Sequence, residues 1–101
     1  MSEGLLFEVT TPIGLRVRVT RERLIVTTKH PVMAGREADV EQALRNPDEI
    51  RESRSDRFMF YKAQRLKRWV CAVAKEAETD GFLITAYPTD AIKEGTRIWP
   101  K

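Results

Sequence analysis

The chain has one cysteine and one histidine among its 101 residues. A single thiol forms no intramolecular disulfide, and a structural zinc site of the cysteine-rich type is excluded. Cys71 lies inside the apolar run Trp69-Val70-Cys71-Ala72-Val73-Ala74, where a free cysteine packs as a small hydrophobe and does not act as a nucleophile. No apolar run approaches the roughly 20 residues of a membrane-spanning helix. Met1-Ser2-Glu3-Gly4 carries neither the basic nor the apolar stretch of a secretory signal, so a soluble cytoplasmic protein is expected. The five glycines are scattered, which leaves no glycine-rich phosphate loop, and there is no nucleophile elbow. Asp39-Val40-Glu41 and Asp48-Glu49 have no histidine at ligand spacing, so neither a metal nor a cofactor is expected.

What is present suits one small globular domain, residues 1–101. The hydrophobic fraction is 42%, which argues against wholesale disorder. The formal charge of +3 favours anionic partners mildly. Leu15, Val17 and Val19 alternate with Arg16 and Arg18 as a half-buried strand does, and Leu5 to Val9 is also strand-like. Thr11-Pro12-Ile13-Gly14 between them reads as a turn, which predicts an N-terminal β-hairpin over residues 5–19.

A helical part is expected over residues 20–46. Thr20 suits a helix cap, although Ile25, Val26, Thr27 and Thr28 are β-branched and oppose a helix. Pro31 stops any such helix near Lys29 or His30. Arg36 to Arg45 predicts a second helix, with Val40, Ala43 and Leu44 on one face, acids in its first turn and Arg45 in its last. Asn46-Pro47 ends it, the asparagine being suited to a left-handed cap.

Residues 49–99 are expected to form an antiparallel sheet. Its strands are Glu49 to Ser53, Phe58 to Lys62, Arg68 to Lys75 and Phe82 to Tyr87, joined by short polar links. Arg68 to Lys75 is apolar on both faces and should be central. In the tail, a helical turn and an Ile98-Trp99 pair tucked onto the sheet edge are expected. The predicted class is therefore α+β: an N-terminal hairpin, two helices, then a four-stranded antiparallel sheet with the helices packed on one face. Val70, Ala72 and Ala74, with Phe82, Ile84 and Ala86, suit the helix side. Trp69, Cys71, Val73 and Lys75, with Leu83, Thr85 and Tyr87, suit an open face, provided that the register does not slip.

From about Thr20 to Trp99 the chain resembles the barnase–EndoU–colicin–RelE superfamily of small nucleases and toxins, in its uncharacterised phage and bacterial branches. The likeness runs through His30-Pro31, Asn46-Pro47-Asp48, Ile50-Arg51-Glu52-Ser53-Arg54, Tyr61, the strand Trp69 to Lys75, and Gly81-Phe82-Leu83-Ile84-Thr85-Ala86-Tyr87-Pro88. The resemblance implies two helices before a four-stranded sheet, and metal-independent cleavage of RNA on the open sheet face. It also implies RNA as substrate and, for a toxin, a cognate inhibitor protein. No short motif defines the superfamily, and the N-terminal hairpin lies outside the shared part.

Metal-free RNA cleavage needs a base for the 2′-hydroxyl, an acid for the leaving 5′-oxygen, and cations for the charged phosphorane. His30, with a reference pKa of about 6.5, suits either proton role; its alternative is a helix-capping or core histidine. Tyr87 is the candidate partner and Thr85 a phosphate donor on the same strand face, or else both are ordinary sheet residues. Arg54 and Lys75 are candidate phosphate ligands, with Arg51, Arg57, Arg65, Lys67 and Arg68 enriching the region. Tyr61 and Trp69 either stack on bases or pack in the core. A non-catalytic RNA- or protein-binding module on the same scaffold is the alternative to an endoribonuclease, and a partner protein pairing through a sheet edge or the hairpin is a third. If the ribonuclease reading holds, His30→Ala lowers chelator-resistant RNA cleavage by at least about 100-fold while the far-ultraviolet circular dichroism is unchanged.

Overall fold

The structure is a computed structural model that describes residues 5–21, 35–54, 57–78, 80–92 and 95–100. In chain order these form β1 (Leu5–Thr10), β2 (Arg16–Thr20), α1 (Glu37–Arg45), β3 (Glu49–Arg54), β4 (Arg57–Arg65), β5 (Arg68–Ala77), β6 (Asp80–Thr89) and β7 (Thr96–Trp99). All the strands join one seven-stranded sheet in the order β1-β2-β6-β5-β4-β3-β7. The β2–β6 contact is parallel and every other neighbour is antiparallel.

This overturns the expected α+β arrangement of two helices on a four-stranded antiparallel sheet. The described residues are mostly strand, with one helix, and the sheet is mixed. The β3-β4-β5-β6 meander does form as the short polar links require. Alone it would leave two edges of unpaired backbone N–H and C=O groups. The N-terminal hairpin covers one: Val17 and Arg18 of β2 pair with Gly81 and Phe82 of β6. The tail covers the other: Thr96, Arg97 and Trp99 of β7 pair with Glu52, Arg51 and Ile50 of β3. A strand therefore stands at Thr96–Trp99, and the sheet is extended where an edge with a tucked tail was expected. The first expected helix falls largely on residues 22–34, outside the described residues.

The main core lies between α1 and one sheet face. Val40, Ala43 and Leu44 of the helix meet Val17, Val19, Ile50, Phe60, Val70, Ala72, Ala74, Leu83 and Ala86. Leu44, Ile50, Phe60 and Leu83 are each fully enclosed, and burying a side chain of this size contributes about 1.5–3 kcal/mol. Small Ala72 and Ala86 face each other across β5 and β6, which lets the helix approach closely. Helix α1 ends without a left-handed cap: Asn46 has φ −133° and its N–H donates to the Gln42 carbonyl at 2.7 Å. Pro47 is the reason, since proline drives the preceding residue toward extended φ.

The expected face assignment holds for half of the β5–β6 ladder. Cys71 opposes Tyr87 and Val73 opposes Thr85, but Ala74 then opposes Leu83 because Ile84 is bulged out of register. The bulge turns Leu83 into the main core in place of Phe82 and Ile84. On the second face Met59, Tyr61 and Cys71 form a smaller buried cluster, with Trp69, Val73, Tyr87 and Ile92 packed around it. This face is a second core, where an open polar groove was expected. Among the described residues no helix is long and apolar enough to cross a membrane.

Gly81 sits at the parallel junction, where a Cβ would stand 2.9 Å from Leu15 Cδ2 and 3.0 Å from its Cγ. Leu15 is itself 8% exposed and cannot swing into solvent freely. Gly81→Val is expected to cost roughly 1–3 kcal/mol by overpacking this contact, read as a lower urea midpoint at unchanged slope.

Candidate anion-binding cleft

The β4–β5 hairpin turns through only Leu66 and Lys67, so Arg65 and Arg68 become directly opposed partners at the end of the ladder. The C-terminal end of β6 lies beside them, with Thr89 opposite Trp69 and Pro88 opposite Val70. Arg36, at the N-terminal cap of α1, approaches from the helix side. Its Nε donates to Asp39 Oδ2 at 2.7 Å and its Nη2 to Gln64 Oε1 at 3.4 Å. Together Arg36, Gln64, Arg65, Arg68, Trp69, Pro88, Thr89 and Asp90 line a cleft of about 760 Å³, within the size range of small-ligand sites.

The cleft is cationic. Three guanidiniums line it against the carboxylate of Asp90, and Asp39 offsets Arg36, so the surplus positive charge comes from Arg65 and Arg68. Arg36 spends two of its five N–H donors on Asp39 and Gln64, which fixes its plane and leaves donors for a further acceptor. Among the described residues Arg65 and Arg68 have no carboxylate at ion-pair distance. Thr89 Oγ1 accepts from the Ala91 N–H at 3.3 Å and donates to the Ala91 carbonyl at 3.0 Å, holding the chain as it leaves β6. Trp69 is half-buried, with its ring between the cleft and the Met59–Tyr61–Cys71 cluster.

Of the residues chosen from sequence, Tyr61, Lys75, Thr85 and Tyr87 are spread along the second face. Tyr87 is half-buried against the second cluster, two strand residues before Thr89 of the cleft, about 7 Å along β6. Thr85 is half-buried one row further on, opposite Val73. Lys75 is half-buried opposite Phe82 and Arg57, six residues and about 20 Å along β5 from Trp69. Arg54 pairs with Arg57 at that same far end of the sheet. Tyr61 is 2% exposed, with its hydroxyl 3.7 Å from Met59 Sδ, and a ring so enclosed presents no open face to a base. His30 lies outside the described residues. The structure thus puts Thr85, Tyr87 and Lys75 on one sheet face but gathers neither Arg54 nor Lys75 at the cleft.

Sequence reasoning placed Arg65 and Arg68 in a basic region, gave Trp69 as a base-stacking or core aromatic, and missed Arg36, Gln64, Thr89 and Asp90. A signal for Arg36 existed: a cation at the start of a helix opposes the dipole, and here it is held by Asp39 three residues on. Among the described residues no group of three or more His, Cys, Asp or Glu is placed to hold a metal ion. No family model, curated protein or solved structure matches the chain.

Two local costs coincide at the hairpin end. Arg65 and Arg68 are like charges directly opposed, which destabilises a strand pair. Lys67 has φ +57°, a left-handed conformation that costs a non-glycine residue about 1–2 kcal/mol. Lys67→Gly is expected to stabilise the domain by about 0.5–1 kcal/mol, the strain relieved being partly offset by a more flexible unfolded chain, seen as a rise of several degrees in Tm.

Proposed function

We propose that the domain binds single-stranded RNA in the cleft at the turn end of β4 and β5. The observation that carries this reading is the convergence of Arg36, Arg65 and Arg68 with the indole of Trp69 on one concave site. Guanidiniums hold phosphate oxygens through paired N–H donors, and an aromatic face beside them stacks on an unpaired base. A duplex keeps its bases stacked inside, so the pairing of cations with an aromatic ring suits a single strand. The indole beside the guanidiniums favours a polyanion that also carries unpaired bases over one that carries charge alone.

Cleavage of the bound strand is the second reading. Its support is the position of Tyr87, one side-chain row from Thr89 of the cleft. In that reading His30 and Tyr87 exchange protons with the 2′-hydroxyl and the leaving oxygen, and Thr85 donates to phosphate.

Fluorescence anisotropy with a labelled 12-nucleotide RNA tests binding. The double variant Arg65→Gln/Arg68→Gln is expected to weaken binding at least about tenfold and to reduce the slope of log K against log salt by about 1.4, two contacts at about 0.7 each for a single strand. An unchanged affinity and slope would remove the cleft from RNA binding. Incubating the same RNA in excess chelator separates the two readings: shortening by the wild type, lost in His30→Ala and Tyr87→Phe, establishes turnover, and an intact strand leaves binding alone.

A further inference from the structure

Leu66 is the most exposed large hydrophobic side chain among the described residues, 89% exposed where Leu5 is 47%. It stands at the tip of a tight hairpin, with Arg65 before it and Lys67 and Arg68 after it. A two-residue turn is usually made from glycine, asparagine or aspartate. Here Lys67 alone takes the positive φ that glycine or asparagine usually supplies, Leu66 precedes it, and opposed arginines close the loop. A tip that carries a left-handed lysine and opposed like charges, beside a cleft that two of its residues line, is where a functional contact is expected.

A leucine side chain neither donates nor accepts a hydrogen bond, so it cannot read a base edge. Its contribution to a nucleic-acid contact is apolar area against the face of a base. In a continuous duplex those faces are covered by stacking; they are exposed at a duplex end or an unstacked step, where apolar side chains serve as wedges. The flanking cations suit the phosphates on either side of such a step.

We propose that Leu66 is a wedge against the last stacked base where single-stranded RNA leaves a duplex, so that the preferred ligand of this domain is a junction of single and double strand. This rests on the RNA-binding reading of the cleft. The single strand enters the cleft and meets Trp69, Arg36, Arg65 and Arg68, while the tip abuts the exposed base plane. Leu66 here determines specificity for RNA shape and adds no sequence readout.

The test compares three labelled RNAs of equal phosphate number: a single strand, a blunt duplex, and a duplex with a four-nucleotide overhang. The variant is Leu66→Ala, which removes no buried contact and leaves the fold intact. Wild type is expected to bind the overhang RNA most tightly. Leu66→Ala is expected to lose about tenfold on that RNA, consistent with the loss of a few buried methyl and methylene groups, while its affinity for the single strand and its salt slope hold. An equal loss on all three RNAs, or no loss on any, overturns the wedge and leaves RNA binding by the cleft standing. Absence of binding to every RNA by the wild type overturns both. Binding to phosphatidylserine vesicles that falls in Leu66→Ala while all three RNAs bind the variant normally assigns the tip to an anionic membrane surface and overturns the wedge as well.

Discussion

Strand β5 is apolar on both faces, so each of its backbone N–H and C=O groups needs a partner inside the sheet. The ladders to β4 on one side and β6 on the other supply those partners along its length. The rest of the architecture follows from this. Val70, Ala72 and Ala74 on one face bring α1 down onto the sheet, and Cys71 and Val73 on the other nucleate the smaller cluster with Met59, Tyr61 and Tyr87. The β4–β5 turn and the C-terminal end of β6 lie at the same end of these ladders. That puts Gln64, Arg65, Arg68, Trp69, Thr89 and Asp90 around one cleft, which Arg36 completes from the helix.

The cleft is built against local preference. Opposed arginines and a left-handed lysine each cost a fraction of a kcal/mol to about 2 kcal/mol. The enclosure of Leu44, Ile50, Phe60 and Leu83, at about 1.5–3 kcal/mol apiece, outweighs them. The fold therefore tolerates the strained hairpin end. Arg36 is held differently: Asp39 and Gln64 fix its guanidinium at the cleft, so an acceptor placed there would immobilise less side-chain freedom.

Much of the local structure was legible in the order of residues. The alternation of Leu15, Val17 and Val19 with Arg16 and Arg18 places the first three inside the core, and Val40, Ala43 and Leu44 form the buried face of α1. Pro47 ends the helix, though by constraining Asn46 to an extended φ and without a left-handed cap. The expected fold class did not survive, because edge-covering is not a local property. Nothing in Arg16–Thr20 distinguishes a free hairpin from one paired in parallel with β6, and nothing in Thr96–Trp99 marks a strand that pairs with β3. The bulge at Ile84 is equally silent in a run of residues that all suit a strand, yet it exchanges which of Phe82 and Leu83 enters the core.

The site divides in the same way. Arg65, Arg68 and Trp69 lie within four residues of one another, and their cationic and aromatic character was readable as a basic region. Hydrophobic periodicity and proline set the strands, the helix and the central place of β5, because these depend on steric and burial preferences of neighbouring residues. Tertiary structure decided the seven-strand order, the burial of Tyr61, the distance of Lys75 from the cleft and the arrival of Arg36 beside Gln64, 28 residues away. Those outcomes depend on which strands share a ladder and in what register: a one-residue slip would move Tyr61 or Lys75 to the other sheet face, and Arg36 meets Gln64 because α1 packs on the sheet.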